Sequence, residues 1–147
     1  MKIDETSIAI CKHLRAGRKS FKKIAREMSV SENTVRARVN KLTEEGILDI
    51  TGLVDPEAVP GLHMVIVGVK LNTMELTSKG KEFSRLRSVV SVSVVTGRFD
   101  LILVVLLEPD FGLLEFFTNE VSKIEDVQSV ESFVVYKGYN LKVPYIL

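Results

Sequence analysis

Apolar residues in the first fifty positions recur at helical spacing, whereas those after position 60 gather into β-branched runs, so the chain reads as a helical front and a mixed α/β rear. Ile3, Ile8, Ile10, Cys11 and Leu14 supply one apolar face; with Asp4 or Thr6 as cap and Gly17 as stop, they predict a helix over Asp4–Ala16. Ser20 caps a second, Phe21–Met28, where Phe21, Ile24, Ala25 and Met28 fall at i, i+3, i+4 and i+7 and Lys22, Lys23 and Arg26 occupy the other face. After the turn Ser29–Val30, Ser31 caps a third helix that turns Val35, Val39 and Leu42 inward and is closed by Gly46. Ile47–Val54 alternates loosely around Thr51 and Gly52, the pattern of a strand or small wing packed beside the helices.

The rear half predicts strands at Leu62–Leu71, Val89–Thr96, Leu101–Leu107 and Val127–Tyr136. Between them fall a short helix over Lys79–Arg87, carrying Phe83 and Leu86, and a longer one opened by Pro109 and Asp110 and running to Ile124. The longer helix has Phe111, Leu114, Phe117, Val121 and Ile124 on one face. The order βαββαβ folds as a four-stranded antiparallel sheet with both helices on one face. The fold class is thus α+β: a winged helix-turn-helix over 1–54, a linker over 55–62, a ferredoxin-like domain over 63–137 and a tail over 138–147. Packing of that tail, which carries Val143 to Leu147, against a neighbouring subunit is the simplest expectation. Strands as apolar on both faces as Leu101–Leu107 leave the second sheet face too greasy for water, so a second subunit is expected to cover it.

Charge changes the picture of the front half. The net charge of +1 over 147 residues hides an asymmetry. Ten basic side chains lie between Lys12 and Lys41 against two acids, Glu27 and Glu32, while residues 61–147 carry nine basic and ten acidic ones. A positive field confined to a helix-turn-helix segment is the electrostatic footprint of a binder of double-stranded DNA. With the third helix in the major groove, Asn33, Arg36 and Asn40 carry the donors and acceptors that base edges require, and Ser31 and Thr34 stand at its N-terminus. Lys19, Lys22, Lys23, Arg26 and Lys41 suit phosphates. Arg38 sits nearer the core edge of the helical wheel, where a structural or phosphate role fits better than base reading.

Other chemistry is sparse. Cys11 lies on a helical apolar stripe as a small core residue and has no partner for a disulfide. The N-terminal segment lacks a signal-peptide pattern and Leu101–Leu107 is too short to span a bilayer, so a cytoplasmic protein with no membrane association is expected. Metal-ligand spacing, a catalytic triad pattern and a phosphate-cradling glycine loop are not found, and no cofactor is expected.

The run from Ile24 to Leu48, followed by GLVDPEAVPG over 52–61, resembles the front half of the Lrp/AsnC, or feast/famine, regulators. The resemblance rests on Ile24-Ala25, the Val35 and Arg38 pair, Leu42, the Glu45–Leu48 end and Asp55-Pro56. The segments VTGRFDLILVV and VQSVESFVVYK extend it over nearly the whole chain, matching that family's Gly-x-aromatic-Asp turn and its final strand. It implies a sequence-specific transcriptional regulator, a homodimer assembling to an octamer or similar, with an amino-acid effector bound between subunits. By the same resemblance the effector site maps to Thr96, Gly97, Arg98, Asp100, Glu131 and Ser132. Arg98 suits a carboxylate and Asp100 or Glu131 an ammonium.

Two alternatives stay open. Siroheme decarboxylases share the architecture but depend on histidines in the second domain, where this chain has only His63; its other histidine, His13, lies in the first helix. An architectural DNA protein has the same basic segment and differs in binding with little sequence preference.

Overall fold

Three side chains that accept hydrogen bonds from the backbone start three helices. The computed structural model describes residues 3–15, 17 and 19–144; Ala16, Arg18 and the last three tail residues, 145–147, lie outside the described residues. Helix α1, Glu5–Leu14, is capped by Asp4, whose Oδ1 accepts the Ser7 N–H at 2.8 Å. Helix α2, Phe21–Met28, begins at Ser20 and ends on Ser29 in the left-handed region. Helix α3, Glu32–Glu44, begins at Ser31, whose Oγ accepts the Thr34 N–H at 3.0 Å. Past Gly46 the N–H groups of Ile47 and Leu48 turn back to the Leu42 carbonyl, at 2.9 and 3.1 Å, and end the helix.

Ile10, Ile24, Ala25, Val35 and Val39 form the core of this helical unit, with Phe21, Met28 and Leu48 packed around it. One expectation shifts here. Ile3 and Ile8, assigned to the inward face of α1, are 40 % and 44 % exposed, and the buried positions are Ser7 and Ile10. Ser7, Ile10 and Leu14 share a face at i, i+3 and i+7, whereas Ile8 is rotated about 100° away from Ser7. Arg38 offers the buried Ser7 hydroxyl a donor at 3.3 Å, which offsets its removal from water.

The chain divides into two compact units between Thr51 and Gly52. The expected wing is corrected accordingly: residues 47–51 form no strand, and β1, Leu53–Val54, belongs to the second unit. It pairs antiparallel with β6, Val143–Pro144, in the tail, with Val54 opposite Val143. The described part of the tail thus packs on its own chain. The segment expected as a linker is also built into this unit, since Pro56–Ala58 forms a 3₁₀ turn and Leu62 is buried beside Met64, Leu106 and Val143.

The main sheet comprises β2 (His63–Leu71), β3 (Val89–Val94), β4 (Leu101–Leu107) and β5 (Val127–Val134), antiparallel in the order β3-β4-β2-β5. This is the βαββαβ arrangement that the sequence pattern predicts. Val65, Val67 and Val69 of β2 and Leu101, Leu103 and Val105 of β4 turn to one face, where they pack with Phe83 and Phe116 from the two helices. Helix α4 spans Leu76–Phe83 rather than Lys79–Arg87, because Leu76 packs against this core and the Ser84 hydroxyl closes the end by donating to the Lys81 carbonyl.

The second helix is also shorter than expected. Pro109 and Asp110 lie in a turn closed by a bridge between Glu108 and Phe111, and Phe111 is buried before the helix begins. Helix α5 spans Leu113–Glu115 and continues as a π turn, Phe116–Glu120, and a 3₁₀ turn, Val121–Lys123. Thr118 and Ser122 donate their hydroxyls to the carbonyls four residues back, Leu114 and Thr118, which loosens the regular ladder.

The opposite sheet face was expected to be bare until a second subunit covers it. Its own chain covers one end, where Val54, Val59, Leu141 and Val143 pack with Met64 and Leu106. At the other end Phe99 folds over Gly68, and its ring stands edge-on to Phe133 at 6.3 Å. Phe133 remains 45 % exposed between them.

Candidate nucleic-acid interface and effector site

With Val35, Val39 and Leu42 buried, α3 turns Asn33, Thr34, Arg36, Asn40 and Lys41 to solvent. Arg36 is held in place twice: its guanidinium bonds Glu32 at 2.8 Å one turn earlier and lies 5.3 Å from the centre of the Phe21 ring. This fixes the direction of a planar donor fork while leaving the side chain 55 % exposed. Ser31 is occupied as the cap, and its hydroxyl also lies 2.8 Å from that of Thr34. The N-terminus of α3 therefore presents a short row of polar side chains on a rigid, buried base.

Beside it, Lys22, Lys23 and Arg26 are all exposed on the outer face of α2 and line one shallow depression with Ser20 and Glu27. Lys19 and Arg38 are differently engaged. Lys19 pairs with Glu27 and approaches His13 Nδ1 at 2.9 Å, and that pairing holds the Glu27 carboxyl below its usual range. Arg38 bonds the Asp4 carboxylate, tying α3 to the cap of α1. That bond, with the Ser7 N–H, lowers the Asp4 pKa from 3.8 to about 2. Among the described residues the candidate interface thus separates into Lys22, Lys23, Arg26 and Lys41, which form no ion pair, Arg36, which is steadied by Glu32 and Phe21, and Lys19 and Arg38, which hold the helices together.

In the second unit, Thr96, Gly97 and Arg98 are exposed on the β3–β4 turn, where Gly97 takes a φ of +119°. Arg98 bonds Glu131 of β5 at 2.7 Å, so the turn and the edge strand bring a guanidinium and a carboxylate together. Ser132 is exposed on the following position of β5. Asp100 is not free for a ligand: Oδ1 accepts from the Lys70 ammonium and Oδ2 from the Leu71 N–H, both at 2.8 Å. Those two donors, Lys70 first, pull its pKa below the ordinary value against the effect of partial burial. Its role in this chain is to lock the turn onto β2. His63 is exposed at the start of β2, and among the described residues no group of three His, Cys, Asp or Glu side chains is placed to hold a metal ion. No helix among them is long and apolar enough to cross a membrane.

The description of the Lrp/AsnC ligand-binding domain matches residues 64–142, more than half of the chain. The chain belongs to the Lrp/AsnC family. A helix-turn-helix domain matches residues 3–51. Among relatives, the HTH-type transcriptional regulator Ptr1 of Methanocaldococcus jannaschii is 27 % identical over 141 residues, covering 93 % of this chain and 94 % of its own. Of solved structures, the crystal structure of PH0061 aligns with a TM-score of 0.79 at 21 % identity, over 97 % of this chain and 99 % of that one. The regulator NMB0573 of Neisseria meningitidis, solved as a complex with L-Met, aligns with a TM-score of 0.68 at 21 % identity, over 99 % of this chain and 96 % of that one. This Lrp/AsnC chain is a transcriptional regulator: a helix-turn-helix unit joined to a ligand-binding domain.

Proposed function

We propose that the protein binds a specific operator as a dimer or higher assembly and that an amino acid or similar metabolite modulates that binding. The observation carrying this reading is the outward face of α3, where Asn33, Arg36 and Asn40 stand exposed above a buried stripe and next to the exposed cations of α2. Arg36 makes the bidentate contact to guanine and an Asn the contact to adenine. Lys22, Lys23, Arg26 and Lys41 neutralise phosphates, and Ser31 and Thr34 hold the helix end that meets the backbone. Lys19 and Arg38 position the helices. The uncovered middle of the sheet, including Phe133, packs against a second copy, which presents α3 in pairs to a pseudo-palindrome with half-sites about one helical turn apart.

The effector takes the Arg98–Glu131 pair apart: Arg98 receives its carboxylate and Glu131 its ammonium, while Thr96, Gly97 and Ser132 form the walls and Asp100 keeps its bonds to Lys70 and Leu71. The L-Met complex of NMB0573 supports an amino acid as the ligand class. Footprinting on the promoter beside the protein's own gene tests the DNA reading. Protection in phased blocks about one helical turn apart is expected; uniform coverage overturns it and favours an architectural protein. A thermal-shift panel of the twenty amino acids tests the ligand, and no shift with any of them overturns the amino-acid reading.

A further inference from the structure

Between Lys12 and Lys41 the chain carries two acids, and they are placed differently. Glu27 is engaged inside the helical unit, bonded to Lys19 and 3.3 Å from His13 Nδ1. Glu32 is the first residue of α3, at the end of the helix that carries the base-reading side chains, and its side chain is 42 % exposed. A carboxylate there faces the phosphates of a duplex, which lowers affinity for every sequence alike. What it adds is discrimination, because base edges differ in whether they offer it a donor.

Its geometry ties it to Arg36. Glu32 Oε1 accepts from Arg36 Nη2 at 2.8 Å, and the Phe21 ring centre lies 5.3 Å from the same guanidinium, so both groups are held as one unit on the outer face of α3. Neither is exhausted by the pairing. Nη2 carries a second hydrogen, which with one on Nη1 makes the fork that guanine O6 and N7 require, and an ionised carboxylate accepts several hydrogen bonds. The two side chains leave the helix about one turn apart, roughly 5.4 Å, against about 3.4 Å between stacked bases. The carboxylate therefore reaches the base pair beside the one that Arg36 takes.

The major-groove edges then choose the base. Guanine and thymine present only acceptors, which repel the carboxylate; adenine offers its N6 amino group but sets the N7 lone pair next to it; cytosine offers N4 alone. We propose that Glu32 is a specificity-determining residue, accepting from the N4 amino group of a cytosine that adjoins the guanine read by Arg36. This rests on the operator reading above, with α3 in the major groove.

Selection from a randomised duplex library with the full chain tests it. The native chain is expected to enrich guanine with cytosine beside it. Glu32→Gln keeps the guanine and exchanges the cytosine for adenine, whose N6 and N7 suit an amide. Glu32→Ala keeps the guanine and leaves the neighbouring position open. In direct titrations, replacing that C·G pair by T·A weakens the native protein about tenfold and the Glu32→Ala protein little. The proposal is overturned if the variants enrich the same cytosine as the native chain, or if they lose the guanine preference while the neighbouring position is unchanged, which makes Glu32 only a prop for Arg36. A native chain that enriches no sequence overturns the operator reading and this inference with it. A native chain that enriches an operator without adjoining guanine and cytosine leaves that reading standing and overturns this inference alone.

Discussion

Arg38, in the middle of α3, bonds the carboxylate of Asp4, the residue that caps α1. One arginine therefore joins two helices and stabilises the first turn of one of them. Arg38→Ala is expected to lower the melting temperature and to weaken DNA binding alike at all operators, leaving the order of preference among bases unchanged. A melting curve and a binding-site selection on the variant check both parts.

The same bond has a pH signature. Asp4 titrates at about 2 in the folded chain instead of 3.8, so the folded state holds this proton less readily than the unfolded one. Its contribution is complete above the unfolded value and fades as pH falls through about 4 towards 2. Melting temperatures of native and Arg38→Ala proteins, measured down this range, are expected to converge at the acid end. Because the pair is partly exposed, added salt narrows the gap at neutral pH as well.

Arg36 and Lys23 separate specificity from affinity. Arg36→Ala is expected to relax sequence preference at one position of the half-site, at a cost of about 1–3 kcal/mol. Lys23→Ala is expected to weaken every site alike and to reduce the slope of log affinity against log salt by about one. Titrations of specific and random duplexes at several salt concentrations decide; identical behaviour of the two variants contradicts the division.

Ser31→Ala removes the hydroxyl that accepts the Thr34 N–H and leaves that donor to solvent. The expected cost is about 0.5–2 kcal/mol in stability of the helical unit, read by denaturant titration, while Ser31→Asp restores the cap.

Gly68 leaves room for an aromatic ring. A Cβ there would meet the Phe99 ring at 2.6 Å, so Gly68→Val must push Phe99 off the sheet. Destabilisation of about 1–3 kcal/mol is expected. Gly68→Val combined with Phe99→Ala is expected to recover part of it, which a double-mutant cycle measures.

Much of this was legible in the amino-acid pattern because it depends on neighbours within one turn. Ser20 and Ser31 as caps, the Val35, Val39 and Leu42 stripe and the βαββαβ order all follow from local spacing. What escaped depends on distant partners. The burial of Ser7 in place of Ile8 is set by how α1 packs and by Arg38, which lies 31 positions away. Asp100 reads as a ligand group until Lys70 and Leu71 are placed against it. The strand at Leu53–Val54 reads as a wing because its partner, Val143–Pro144, stands at the far end of the chain, and two-residue strands have no periodicity to recognise. Pro109 suggests a helix start by its usual preference, but Phe111 is drawn into the core first and Gly112 adopts an extended conformation.

The clasp between Leu53–Val54 and Val143–Pro144 makes the second unit a closed loop whose entry and exit share one ladder. Tension across the second unit from Leu53 to Pro144 loads that short ladder directly. With only two residue pairs against the longer ladders of the main sheet, this clasp is expected to open before that sheet does when Leu53 and Pro144 are drawn apart.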